Sequence, residues 1–126
     1  MKINASCPHF FVADLRRSVR FYVDVLGFEE PQLWGEPPAF AMPCRDGFVV
    51  MLNEAGADLV NPNGPAGCWD AYFWCDEVDA FFAQIADRAD VVHGPENRDL
   101  YGMREIGIRD PDGYMLVFAE DLHPNG

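Results

Sequence analysis

Along this chain the spacing of apolar positions switches between two periods, and it does so twice in the same order. "CPHFFVAD" (residues 7–14) is rich in aromatic and branched side chains and predicts a strand. Asp14 then stands where a helix N-cap belongs, ahead of "LRRSVRFYVDVL", in which Leu15, Val19, Tyr22 and Leu26 share one helical face and Gly27 ends the run. Strand candidates follow at 28–34, 38–44 and 48–54. The order then repeats. "DAYFWCDE" (70–77) predicts a strand, and "EVDAFFAQIADRA" places Val78, Phe82, Ile85 and Ala89 on one helical face. Strand candidates at 90–93, 102–109 and 114–120 complete the second series.

The repetition extends to residue identity. "RDGFVVMLNEA" (45–55) and "RDPDGYMLVFAED" (109–121) carry the same Asp-Gly turn and apolar strand, with Asp46-Gly47 matching Asp112-Gly113 and Glu54 matching Glu120 at a shift of 66. The helix faces superpose at a shift of 63, so the halves differ by a net three residues. The predicted class is α+β: one domain over 1–126 made of two βαβββ modules, 1–54 and 68–126, joined by a Gly-, Pro- and Asn-rich linker at 55–67. One helix covers only one face of a four-stranded sheet. A second sheet is the economical cover for the other face, which predicts helices outside and curved sheets around a cleft.

Alternation along the strands assigns residues to that cleft. The first strand sends Cys7, His9 and Phe11 one way and Pro8, Phe10 and Val12 the other. Phe48, Val50 and Leu52 form the apolar set expected under a helix, which leaves Val49, Met51 and Asn53 opposite. By the duplication, Asp70, Tyr72 and Trp74, with Met115, Val117 and Ala119, face the cleft from the second half.

Composition removes several function classes. The 126 residues are 49% hydrophobic and 13% aromatic, enough for a sizeable core, yet no apolar run nears the roughly 18 residues that would cross a bilayer. The N-terminus has one lysine and no long apolar segment, so it does not read as a secretion signal, and the cytoplasm is the expected location. Nine Lys and Arg against 21 Asp and Glu give a net charge of −12, which repels a phosphate backbone and disfavours nucleic acid as a partner. The same charge favours solubility and attracts cations. Cys7, Cys44, Cys68 and Cys75 show no CxxC spacing and read as free thiols in a reducing compartment.

"FFVADLRRSVRFYVDVLGF" and "YGMREIGIRDPDGYMLVFAED" resemble the vicinal-oxygen-chelate superfamily, which includes glyoxalases, extradiol dioxygenases, fosfomycin-resistance enzymes and bleomycin-resistance proteins. The likeness covers nearly the whole chain and implies the glyoxalase/bleomycin-resistance fold. Metal enzymes of that superfamily place ligands on the first and last strand of each half, and the matching positions here are Cys7, Met51, Asp70 and Val117. Met51 and Val117 offer no donor to a hard or borderline cation. His9, on the same face as Cys7, adds a candidate beside Cys7 and Asp70, but a lone His in an aromatic strand is more often packed than ligating. No cofactor is therefore expected, and a divalent metal is disfavoured.

Within the superfamily the chain is most similar to the bleomycin-resistance proteins, which lack the metal and sequester a drug without altering it. Their first-strand Pro is matched by Pro8, and their alternate aromatics by Tyr72 and Trp74. Their aromatic-Gly-x-Arg-Glu run is matched by Tyr101 to Glu105, and a first-half aromatic by Phe40 with Trp34 nearby. The chain departs from them in carrying His9 and Asp70 on the expected cleft face and a different loop at 29–38. The resemblance implies non-catalytic sequestration of an antibiotic-like cationic or aromatic molecule, with no catalytic residue. The expected contacts are His9, Trp34, Phe40, Met51, Asp70, Tyr72, Trp74, Tyr101, Glu105 and Val117. Aromatic walls stack on planar ligands, and Asp70 and Glu105 would complement a cation.

The resemblance also implies a two-fold homodimer that exchanges its N-terminal arm at Pro8, a residue unable to donate within a sheet. The alternative function is a metal-dependent lyase, isomerase or oxidoreductase of the glyoxalase/dioxygenase type. No nucleophile-elbow triad and no Gly-rich phosphate loop is present. Arg98 reads as a surface charge, and His93 and His123 as exposed.

Overall fold

In the computed structural model, which describes residues 1–64 and 68–124, Asp14 fixes where the first helix begins. Its backbone is extended and its Oδ1 accepts the Arg17 N–H at 3.1 Å, satisfying one of the donors that a helix start leaves open. The helix α1 (Leu15–Arg20) runs on as a π-helical turn, Phe21–Val25, and Gly27 at φ 77 closes it. There the Phe28 N–H reaches back to the Tyr22 carbonyl. The chain divides into two compact units, 1–61 and 62–126, parted inside the expected linker. Residues 65–67 of that linker lie outside the described residues.

The first unit holds β1 (His9–Val12), α1, β2 (Leu33–Trp34), β3 (Phe40–Ala41), β4 (Cys44–Arg45), β5 (Phe48–Val49) and β6 (Met51–Glu54). Its sheet runs β1-β6-β3-β2, with β1 parallel to β6 and the other neighbours antiparallel. Phe10, Val12, Ala41 and Leu52 are buried, as are Leu15, Val19, Tyr22 and Leu26 of the helical face, which packs on β3 and β6. The strands expected at 28–34 and 38–44 shrink to two residues each. Between them lie Pro37 and Pro38, which have no N–H for a ladder.

One register links Phe40–Asn53, Ala41–Leu52, Cys44–Val49 and Arg45–Phe48, so β3 to β6 form a single hairpin interrupted at Pro43. Its turn is Asp46-Gly47, both at positive φ (52 and 85), the type I′ geometry that suits two-residue hairpins. Phe48, expected under the helix, is instead 70% exposed beside that turn, while Val50 and Leu52 on the same side are fully buried.

The second unit repeats the plan with β7 (Ala71–Trp74), α2 (Val78–Ile85), β8 (Asp90–Arg98), β9 (Met103–Arg109) and β10 (Met115–Asp121). Its sheet order, β7-β10-β9-β8, is again first strand, last, third, second, with the first parallel to the last. On the helix side Phe118 stacks on Phe73 at 5.0 Å and meets Phe81 of α2 at 4.9 Å, above buried Ile106, Ile108 and Leu116. The strand expected at 90–93 does not stop at Gly94-Pro95. It passes through two register shifts, with Gly94 at φ 86, and continues to Arg98. No helix among the described residues is long and apolar enough to cross a membrane.

The two helices are capped by different means. Glu77, before α2, sits at φ 54 and makes no capping bond. The cap comes from β10, where Glu120 Oε1 accepts the Val78 N–H at 2.9 Å. Glu120→Ala is expected to lower the unfolding free energy by about 1 kcal/mol, the usual cost of a lost N-cap, in a urea titration. Glu120→Gln, which keeps an acceptor, should lose less; equal stability for all three proteins would remove the cap from this account.

Candidate functional site

Because β7 alternates, Phe73 goes under α2 and its neighbours Tyr72 and Trp74 go to the opposite face. There the rings gather. Tyr72 lies 5.1 Å from Trp74 and 4.9 Å from Trp69, and Trp69 lies 6.3 Å from Tyr101, all at tilted or edge-on angles. These are normal separations for attractive aromatic pairs. The rings are not enclosed: Trp74 is 72% exposed, Trp69 40% and Tyr101 42%.

Beneath them Glu105, paired with Ala119 across β9 and β10, is completely buried. An isolated carboxylate there would cost several kcal/mol, so it needs partners. It has three. Tyr72 Oη donates to Oε2 at 3.0 Å, while Tyr101 Oη (3.1 Å) and Arg98 Nε (3.2 Å) both donate to Oε1. Arg98 Nη2 also pairs with Glu96 at 2.7 Å. Burial, then the bond to Glu105, raises the Tyr72 phenol well above its ordinary range, and the same causes raise Tyr101.

The expected site residues fall into three groups. Tyr72, Trp74, Tyr101 and Glu105 come together as described. Asp70 stands next to them but turns its carboxylate to the backbone, Oδ1 accepting the Asn63 N–H at 2.7 Å and Oδ2 the Met115 N–H at 2.8 Å. It anchors the start of β7 to β10. Val117 is fully buried, so as placed it offers no surface to one. In the first unit His9, Trp34, Phe40 and Met51 share the face away from α1, through the pairs His9–Met51 and Trp34–Phe40. His9 packs edge-on against Phe11 at 4.9 Å.

A metal does not fit these residues. Of the four matching positions Met51 and Val117 lack a suitable donor, which leaves too few ligands of the right kind. Among the described residues no three His, Cys, Asp or Glu side chains gather where they could hold a metal ion. All four cysteines are free, Cys7 and Cys68 being exposed.

The contacts expected from the sequence did not include Arg98, Trp69 or His93. Arg98, read as a surface charge, is the cation that balances Glu105. His93, expected to be exposed, lies against Gly107 at the first register shift of β8, its side chain only 16% exposed. Its Nδ1 is 3.2 Å from Glu96 Oε1, yet too oblique for a hydrogen bond, and both ring nitrogens are buried without one. Reading β8 through its bulge would have placed Arg98 beside Glu105. The Gly-Pro pair signalled a stop instead.

Residues 6–118 match the family model described as the Glyoxalase/Bleomycin resistance protein/Dioxygenase superfamily. No curated protein matches the chain. Among solved structures, a protein of unknown function from Agrobacterium tumefaciens str. C58 is 27% identical, with 97% of each chain covered and a TM-score of 0.68. TioX from Micromonospora sp. ML1 is 26% identical over 92% of this chain and 97% of its own, with a TM-score of 0.73. TnmS3, an antibiotic binding protein from Streptomyces sp. CB03234, shares the fold at 24% identity over 95% and 99%, with a TM-score of 0.68.

The raised phenols make a sign-definite prediction. Folding holds their protons, so this contribution is complete below the unfolded tyrosine value of about 10 and is lost as pH rises through the higher folded values. In an alkaline absorbance titration Tyr72 and Tyr101 should ionise later than free tyrosine. Glu105→Gln, which removes the charge while keeping an acceptor, should bring both down toward the ordinary value. An unchanged titration would show that the carboxylate does not hold the phenols.

Proposed function

The chain belongs to the Glyoxalase/Bleomycin resistance protein/Dioxygenase superfamily, and from that membership we propose that it binds and sequesters a small planar molecule without altering it. One observation carries the reading. Three rings, those of Trp69, Trp74 and Tyr101, are two-fifths or more exposed on a sheet face where a buried ion pair and two phenolic hydrogen bonds hold their surroundings. Rings fixed in this way stack on a planar ligand with little ordering cost. The shared fold of TnmS3, an antibiotic binding protein, is compatible with an antibiotic as that molecule.

Among the described residues, neither Glu105 nor Asp70 is poised at these rings as a general acid or base. Glu105 has all its donors in place, and the neighbouring carboxylate Asp70 is bonded to the backbone. We further take the protein to act as a two-fold homodimer. Residues 1–7, ahead of Pro8, are exposed and in neither helix nor strand, as an arm available for exchange would be. A monomer in sedimentation at micromolar concentration would refute this.

Trp74→Ala is expected to weaken a planar aromatic antibiotic by about 1 kcal/mol or more, roughly fivefold in Kd, by calorimetry. Its ring is 72% exposed, so the unfolding midpoint should stay near that of the unaltered protein. Ligand recovered after incubation should be chemically unchanged. Appearance of a product, together with a stoichiometric divalent metal in protein purified without chelator, would replace sequestration with a metal-dependent reaction.

A further inference from the structure

We infer that Leu122 and His123, which follow β10, are positioning residues for the ring face: they fasten the turn between β8 and β9 and so hold Tyr101 and Arg98 on Glu105. The consequence for binding rests on the reading above. The fastening itself rests on backbone geometry and needs no ligand.

Two of the three groups that donate to Glu105 belong to that turn. Arg98 ends β8 and Tyr101 stands just ahead of β9, and both donate to the same oxygen, Oε1. The turn closes on the Arg98 carbonyl, which accepts the Gly102 N–H at 2.9 Å and the Tyr101 N–H at 3.3 Å. The second of these is longer than a normal N–H···O bond. Gly102 is at φ 70, a conformation glycine adopts without steric cost. Leu100 at the tip is 96% exposed, so burial does not hold the tip in place.

The fastening comes from beyond β10. The β9–β10 ladder ends with Asp121 opposite Met103, and Leu122 continues it by one residue, its N–H donating to the Gly102 carbonyl at 2.9 Å. Among the described residues this is the one backbone hydrogen bond that reaches the turn from outside the β8–β9 hairpin. The chain then bends, because Asp121 Oδ1 accepts the His123 N–H at 2.8 Å. That bend lays the His123 ring beside Gly102, 3.5 Å from the place a Cβ would take there. A backbone bond and an imidazole thus both bear on the residue next to Tyr101. A turn with so few ties opens locally when one is cut. Tyr101 would then leave Glu105, and Trp69 would lose the ring 6.3 Å away that it meets edge-on. Tyr72 lies on β7 and bonds the other oxygen, Oε2, so it does not depend on the turn.

Leu122→Pro removes the N–H, whereas Leu122→Ala trims the side chain and keeps it. Each is made in the full chain, alone and with Tyr101→Phe, and the alkaline absorbance difference within each pair isolates the Tyr101 phenol. In the Ala variant Tyr101 should ionise as late as in the unaltered protein. In the Pro variant it should ionise earlier, toward the ordinary value of about 10, while the other tyrosines keep their titration. His123→Ala should move Tyr101 the same way by less, and it carries the test if the Pro variant does not fold. The dye 9-aminoacridine, followed by its anisotropy, should bind about threefold or more weakly to the Pro than to the Ala variant. An identical Tyr101 titration in the Pro, Ala and unaltered proteins would overturn the inference, whatever the dye does. A dye that fails to bind the unaltered protein would count against the binding reading alone.

Discussion

A carboxylate taken wholly out of water must be met by donors on every side, and Glu105 imposes that requirement on the second unit. It turns the Tyr72 and Tyr101 hydroxyls inward and draws Arg98 across from β8. Once those hydroxyls point inward, the rings that carry them are held, and Trp69 and Trp74 pack against rings of known position. Replacing the ion pair with apolar side chains need not reduce stability, since buried pairs often do little better than break even. What the pair adds is direction: a flat apolar residue in place of Glu105 would fill the space without orienting anything.

The duplication explains why the fold was legible. Helix faces at Leu15, Val19, Tyr22 and Leu26 and the strand alternation around Tyr72 follow from spacing alone, and both appear where expected. The identical strand order of the two sheets is the structural form of the repeat. Failures occur where backbone chemistry overrides spacing. Pro43 breaks a strand that reads as continuous, and Gly94 lets one pass that reads as ended. Phe48 obeys alternation but sits beside the hairpin turn, where nothing buries it.

The site was legible only in part, for a related reason. Tyr72 and Trp74 sit on one strand at the right parity, so alternation finds them. Arg98, seven residues before Glu105 in sequence, reaches it because β8 continues past Gly94 and pairs with β9 close to the turn, Arg98 opposite Met103 and Glu96 opposite Glu105. Asp70 has the right parity, and its oxygens take two backbone N–H groups. Parity locates a side chain; it does not say which partner claims its polar atoms.

The repeated Asp-Gly turn has also diverged. Asp46-Gly47 closes a two-residue hairpin, whereas Asp110 accepts the N–H groups of Asp112 and Tyr114 and so supports a longer turn containing Pro111. Each sheet, however, keeps its first strand parallel to its last, β1 beside β6 and β7 beside β10. Loop-closure entropy must be overcome before such distant pairings form. On a growing chain the first sheet can be completed once synthesis has passed Glu54. The second must wait until synthesis has passed Asp121, 67 residues later, so the Trp69 and Trp74 face is assembled well after the first sheet.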